Sequence, residues 1–368
     1  VAQGQIFLAG LLFVAAKVVA TAVIHPHEPQ RQWNEALAIG SQIAEAVEAA
    51  MRLAKSATRK YEFLSFWGGF HGKTGGVLGL LGSDFKHHLG PFMPGQYSTP
   101  YADCYRCPLR LTYPDCGIAC ADYVRDVIRY QTGGEIAAII VEPMQGTAGN
   151  VIPPDGFLRA IQSIAKEAGA LLICDEMITG FGRTGAMWGS DHDRVVPDVM
   201  TVGKGVGGGF PLSAVISTDD LTSRKPWSNP SASSSSYGAN PLAAAAGLAA
   251  LEIILKEDLV KNADRVGAVM LARLEALKEK YRCVGEVRGR GLMLGMELVK
   301  DRRTKEPLGK DVTQALYKEC LRRGLAAMTY SPTVRINPPL IIREETALNG
   351  LAILDEALGT IVREHRLQ

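Results

Sequence analysis

The chain has 368 residues, 47% hydrophobic and 21% charged, and its 40 Lys+Arg against 38 Asp+Glu leave a net charge of +2. This composition excludes a wholly disordered chain, a collagen and a disulfide miniprotein, and so small a charge argues against a nucleic-acid binder working through one large basic face. Seven cysteines, sparse and odd in number, favour a reducing cytoplasm over a secreted disulfide framework.

The most apolar stretch, Phe7–Ile24, is interrupted by Lys17 and has no basic residue before it. It reads as a buried strand and helix rather than a membrane span or signal peptide, so no membrane partner is expected. Glu45–Lys55 carries the apolar spacing of an amphipathic helix. Tyr61–Phe66 reads as a strand leading into Gly68-Gly69-Phe70-His71-Gly72. Residues 86–120, rich in Pro, Tyr, Cys and His, read as one long loop, and Asp122–Arg129 as a helix. Four apolar runs then read as buried strands: Glu135–Val141, Ala170–Cys174, Val199–Val202 and Leu212–Ser217. A helix over Pro154–Glu167 has Pro at its start, where the missing N–H costs least. Such alternation predicts a mostly parallel sheet covered on both faces, with ligands at the carboxyl ends of its strands. Glu142, Asp175 and Lys204 fall at those ends.

A serine-rich segment, Ser231–Ser236, precedes a long helix from Leu242, with Asn240 as cap and Pro241 at the first helical position. A helix over Leu259–Glu279, a Gly-punctuated strand pair over 284–299, a helix over Val312–Arg323, a strand near Thr333–Ile336 and a helix over Glu344–Arg363 complete the chain. This part reads as a separate α+β domain with its boundary near residue 245.

Asp175 ends the apolar run Ala170–Cys174, and a carboxylate there is costly unless a cation or donor meets it. The plainer reading is a helix cap or loop salt bridge; the functional one is a carboxylate facing a protonated ring nitrogen. Lys204 stands between Gly203 and Gly205 at the end of another apolar strand. It reads either as a strand-end charge or as an amine whose partial burial favours the neutral form needed for a Schiff base. Gly203, Gly205 and Gly208 match G-x-G-x-x-G, but Phe210-Pro211 and a further apolar run follow. No helix starts where a pyrophosphate would need one, so a nicotinamide oxidoreductase is weakly supported.

Together the segments FHGKT, VEPMQG, CDEMITGFGRTG, the Gly-Lys-Gly strand end, SYGANPLAAAAGLAAL, VRGRGLMLGMEL and VRINPPL resemble the class III aminotransferases, and the chain is similar to the 4-aminobutyrate aminotransferase branch. The resemblance implies an α/β protein of fold type I, the aspartate aminotransferase-like fold of pyridoxal-phosphate enzymes. Its mostly parallel sheet would lie in a large domain over 36–245, with a smaller α+β domain from 1–35 and 246–368. It implies pyridoxal 5'-phosphate as cofactor and ping-pong transfer of an amino group from an ω-amino acid or amine to a 2-oxo acid. Lys204 would hold the cofactor and shuttle the proton, and Asp175 would bond the ring N–H. Phe70 would stack on one ring face and Met177 press on the other. Ser236 would donate its hydroxyl to the partner subunit's phosphate, which makes the active site a homodimer construction. Glu142 would stand on the substrate side, and Arg335 would grip the substrate carboxylate with its planar guanidinium. For Glu142 and Arg335 the plainer readings are a strand-end charge and a surface charge.

Ile178 occupies a place where several family members have Gln, which pulls the substrate toward ω-amines and ω-amino acids. In the family's phosphate-cradling turn, Ile43 stands where a glycine belongs, and Ala44 follows it as the remaining cofactor-binding position. VAQGQIFLAG and AKVVATAVIH resemble the family's opening strand and first helix without the turn between them. The expectation is that short cofactor-wrapping segments of the gene product are disordered and missing from this sequence, as in a cofactor-free form; an intact mass above that of the sequence would bear this out. Cys104, Cys107, Cys116 and Cys120 give C-x2-C-x8-C-x3-C, a spacing that suits Zn²⁺ or an iron–sulfur cluster, although thiols in a loop are the favoured reading and no metal is assigned. The alternatives carried forward are a decarboxylating transaminase of the dialkylglycine decarboxylase type and a non-catalytic metal-binding scaffold.

Overall fold

The computed structural model describes residues 33–40, 43–236, 238 and 240–367. The apolar stretch Phe7–Ile24, the two N-terminal segments that resemble the family's opening strand and first helix, and most of the expected 1–35 segment lie outside them. Contacts divide the chain into two compact units. The first takes the described residues up to Pro143 with Pro153–Phe181 and Met187–Lys256; the second takes Met144–Ile152, Gly182–Ala186 and the chain from Glu257 onward.

The first unit is built on a seven-stranded sheet. Its strands are β1 (Trp33–Gly40), β2 (Glu62–Phe66), β3 (Gln96–Thr99), β4 (Ile136–Val141), β5 (Leu171–Asp175), β6 (Val199–Val202) and β7 (Ser213–Thr218), in the spatial order β1-β7-β6-β5-β4-β2-β3. From β6 to β3 neighbouring strands are parallel; β7 is antiparallel to β6 and β1 to β7. The central strands β4, β5 and β6 are mainly apolar because helices cover them. On helix α1 (Ile43–Thr58), Ala46, Val47, Ala50 and Leu53 pack with Phe63, Ile140, Ile173, Val199 and Val215 of five strands. Each fully buried Leu, Ile or Phe contributes roughly 1.5–3 kcal/mol.

Three expectations change. Residues 86–120 are not all loop: Gln96–Thr99 forms the edge strand β3, parallel to β2. Helix α3 (Phe157–Glu167), which follows α2 (Ala119–Gln131), starts at Phe157 rather than Pro154. Its first N–H groups are satisfied from a distance, since the Asp193 carboxylate accepts from Gly156 N and Leu158 N, each at 2.8 Å. The break between the units follows Lys256 instead of falling near residue 245. Helix α4 (Pro241–Lys256) stays whole because it packs closely on the first unit; a methyl group on Gly247 would come within 2.6 Å of Leu212 Cδ2. Asn240 caps this helix as expected, its side-chain oxygen accepting from Ala243 N at 2.9 Å. Residues 33–35 belong to β1 and so to the large sheet.

In the second unit, β9 (Met293–Asp301) pairs antiparallel with β8 (Val284–Arg290), β10 (Glu306–Pro307) and β11 (Thr333–Ile336). Helices α5 (Leu259–Lys280), α6 (Lys310–Arg322) and α7 (Glu344–Glu364) share a core with this sheet, in which Val266, Met270 and Leu274 join Leu294, Met296 and Leu298 and meet Leu351, Leu354 and Leu358. No helix among the described residues is long and apolar enough to cross a membrane.

Candidate active site

Three adjacent parallel strands place polar residues at the same edge of the large sheet. β4 runs into Glu142, β5 ends on Asp175, and β6 leads through Gly203 to Lys204. Pleated strands in register deliver these residues together, although they are far apart in sequence.

Asp175 is buried, and its Oδ2 lies 2.7 Å from Nδ1 of the equally buried His71. Burial alone would lower the His71 pKa, but the hydrogen bond and charge of Asp175, helped by Glu142, outweigh it and raise the pKa above its usual value; Lys204 opposes them. The other oxygen, Oδ1, accepts from Met177 N at 3.2 Å. Met177 is itself buried beside the β6 terminus, where a methyl group added to Gly203 would come within 2.6 Å of its Sδ. The glycine before Lys204 is thus required by the thioether.

Lys204 opens a single 3-10 turn, Lys204–Gly207, with φ +46°. A left-handed backbone costs an L-residue roughly 1–2 kcal/mol, a strain that clusters at functional sites. The side chain is exposed, so the partial burial expected from the sequence is not found in the chain alone.

Phe70 is held through its backbone, its N–H donating to Glu142 Oε1 at 2.9 Å. Its ring meets Phe85 edge-on at 5.6 Å. Glu142 is thereby fixed as well, because the buried Tyr101 hydroxyl donates to the Glu142 and Pro143 carbonyls, each at 3.1 Å. Burial, then the charge of Glu142, pushes the Tyr101 phenol well above its usual range. Ala44, in the first turn of α1, packs against the same glycine-rich segment: a methyl group on Gly72 would lie 2.5 Å from its Cβ. Helix α1 therefore starts beside Phe70 and His71, with Ile43 already helical where the expected phosphate turn would have glycine. Ser236 is exposed, on the segment before α4.

Arg335 belongs to the second unit. It sits on β11, half-buried, and its hydrogen-bond partners are distant: Gly146 O at 3.5 Å and Met328 Sδ at 3.6 Å. The turn behind it is held firmly. Arg183 donates to Leu292 O at 3.2 Å and Pro338 O at 2.5 Å, and Asn150 donates to Leu294 O at 2.6 Å and Asn337 Oδ1 at 2.8 Å. Burial pulls the Arg183 pKa down to about 10.

The sequence reading missed His71 as a site residue, together with Tyr101 and Arg183. FHGKT contained the signal for His71, but its partner lies 104 positions away. Among the described residues, no group of three or more His, Cys, Asp or Glu is arranged to hold a metal ion.

The donor set fits pyridoxal phosphate: a buried carboxylate able to hold a protonated ring nitrogen, an amine on the neighbouring strand, and an aromatic ring and a thioether at hand for the two ring faces. The class-III aminotransferase family model matches residues 32–358. The chain is 34% identical to a leucine/methionine racemase of Thermococcus litoralis, over 88% of this chain and 73% of that one. It is 36% identical to a diaminobutyrate–2-oxoglutarate aminotransferase of Rhizobium meliloti, over 86% of this chain and 69% of that one. An amine transaminase from an uncultivated Pseudomonas species, solved in its PLP-bound form, superposes with a TM-score of 0.88 at 30% identity, covering 95% of this chain and 81% of that one. A sheet whose neighbouring strands end in this acid and this amine, matched nearly end to end by that family, leaves one assignment: the chain belongs to the class-III aminotransferases, fold type I enzymes that transaminate with pyridoxal phosphate.

Proposed function

We propose that the enzyme moves an amino group from an ω-amino acid or amine to a 2-oxo acid. The observation that carries this reading is the delivery of Glu142, Asp175 and Lys204 by β4, β5 and β6 to one sheet edge, with His71 locked to Asp175. Pyridoxal phosphate, when bound, supplies the carbonyl that takes up the amino group and the electron sink that acidifies the carbon bearing it.

In this reading Lys204 Nζ holds the cofactor and moves the proton to and from that carbon, a role worth roughly 10²–10⁴-fold in rate. Asp175 accepts the ring N–H, and the raised pKa of His71 favours the imidazolium that keeps Asp175 ionised. Phe70 and Met177 would hold the two faces of the ring, and the first turn of α1 with Ala44 would hold the phosphate. Glu142 keeps Phe70 in place through its backbone N–H. Arg335, with only long contacts inside its own unit, is available to a substrate carboxylate.

Ser236 acts from a second copy, so the working unit is a homodimer. Helix α4 supports this: Leu242 and Ile253, about three turns apart on one helix face, are exposed in the single chain, apolar surface that a partner would cover. We place the enzyme in the cytoplasm, since its seven cysteines are all thiols.

A panel of 4-aminobutyrate, putrescine, ornithine, β-alanine and an aromatic amine, each with pyruvate and with 2-oxoglutarate, tests the reading. Acceptor-dependent turnover that is lost in Lys204→Ala supports it; no turnover with any pair sinks it. A second reading is racemisation of an amino acid, favoured by the relative named a leucine/methionine racemase. Chiral analysis of L-leucine or L-methionine incubated without any 2-oxo acid separates the two.

A further inference from the structure

Four of the seven cysteines fall between residues 104 and 120, and all four line one cavity of about 20 Å³ beside Leu109 and Leu111. The other three, Cys174, Cys283 and Cys320, are buried, and no cysteine is in a disulfide. The four thiols of this cluster lie at close quarters.

The chain turns at Tyr105-Arg106, and the turn is pinned by Arg106 N donating to Asp103 Oδ1 at 2.9 Å. A four-residue turn brings its end Cα atoms within about 7 Å, close to the roughly 4.4–6.8 Å that a disulfide spans. Cys104 is the exposed member of the four and Cys107 is half-buried. Cys120 is a poor competitor: burial, then the neighbouring Cys104, pushes its thiol up to about 11, so little of it is thiolate at neutral pH.

We propose that Cys104 and Cys107 form a redox modification site, a thiol pair that a low-molecular-weight disulfide converts to an intrachain bridge. The Cys104 thiolate attacks one sulfur of the small disulfide, forming a mixed disulfide and expelling a small thiolate. The Cys107 thiolate then attacks the Cys104 sulfur and expels the second one. The two protein thiols are oxidised by two electrons, the small disulfide is reduced to two thiols, and the two protons pass to those leaving thiolates. The site uses no residue of the proposed transamination machinery.

The test is to incubate reduced holoenzyme with oxidised glutathione, alkylate it, and map its peptides without reduction. Wild type should lose two titratable thiols, yield a Cys104–Cys107 linked peptide, and regain both thiols with dithiothreitol. Cys104→Ser should form no bridge while keeping its transaminase rate. The proposal is overturned by an unchanged thiol count, by a bridge from Cys104 to Cys116 or Cys120, or by one tightly held zinc ion per chain on elemental analysis with the four thiols unreactive.

Discussion

His71 Nδ1 lies 2.7 Å from Asp175 Oδ2, and each side chain is about 1% exposed. The pair joins the glycine-rich segment after β2 to the end of β5, so it couples the position of Phe70 to that of the acid.

The pair gives stability a direction in pH. The His71 pKa is raised in the folded chain, so its contribution is complete below the unfolded value of roughly 6.5 and is lost as pH rises through the folded value. Scanning calorimetry of the wild type should show the transition temperature falling across that window. His71→Asn should abolish the fall and leave the buried carboxylate without its cation, at a cost on the order of 3–5 kcal/mol. An unchanged slope in the variant would show that the pair does not carry it.

The contact between Gly203 and Met177 predicts that changes at the two positions are coupled. Gly203→Ala places a methyl group 2.6 Å from the buried sulfur, and overpacking of this kind costs about 1–3 kcal/mol. The backbone at Gly203 is extended, which any residue adopts, so the penalty is steric alone. Gly203→Ala should lower the thermal transition, measured by scanning calorimetry of the cofactor-free chain, and Gly203→Ala combined with Met177→Ala should relieve the clash and cost less than the sum of the two single changes. Additive losses would locate the effect elsewhere.

How far the sequence discloses this site depends on the range of each interaction. Asp175 and Lys204 are visible because an apolar run that stops at a single polar residue marks the end of a buried strand. The role of Asn240 as cap is equally local. His71 is not visible as the partner of Asp175, because a contact across 104 positions leaves no period to read. The start of α3 at Phe157 escapes for the same reason, its cap being supplied by Asp193. Strand β3, Gln-Tyr-Ser-Thr, lies at the sheet edge and is mostly half-buried, so it lacks the apolar run that identifies its neighbours. The left-handed backbone of Lys204 has no signature in residue type, although Gly203 and Gly205 mark its surroundings.

Arg335 should separate binding from chemistry. Its guanidinium has only long contacts within its unit, so replacing it leaves no buried charge behind. Hydrogen bonds to a charged group contribute roughly 1.5–3 kcal/mol. Arg335→Gln should therefore raise the KM for 2-oxoglutarate by about 10- to 150-fold, while the rate with an amine donor that lacks a carboxylate changes little in the first half-reaction. Equal losses in both half-reactions would remove Arg335 from carboxylate binding.

Glu176 is buried next to Asp175 and Met177, but its hydrogen bonds go to Thr179, Gly189 and Ser190. Its Oε2 accepts from the Thr179 hydroxyl and from Gly189 N at 2.9 Å, and its Oε1 accepts from Ser190 N at 2.9 Å. These partners are all donors, so the carboxylate ties Thr179 to Gly189 and Ser190 within the first unit. Burial raises its pKa, and the hydrogen bonds only partly offset this. The folded chain then holds a proton that the unfolded chain has released, and stability declines as pH rises from the usual carboxyl range through the raised value. Glu176→Gln replaces one acceptor by an amide that faces a backbone N–H, leaving a donor unpaired at about 1–3 kcal/mol. Urea unfolding of the holoenzyme should show a lower midpoint with an unchanged m-value, and the acid-side slope should vanish. Glu167→Gln, which breaks only an exposed pair with Arg125, should shift the midpoint far less. If the two variants behave alike, the buried carboxylate does not hold these residues together.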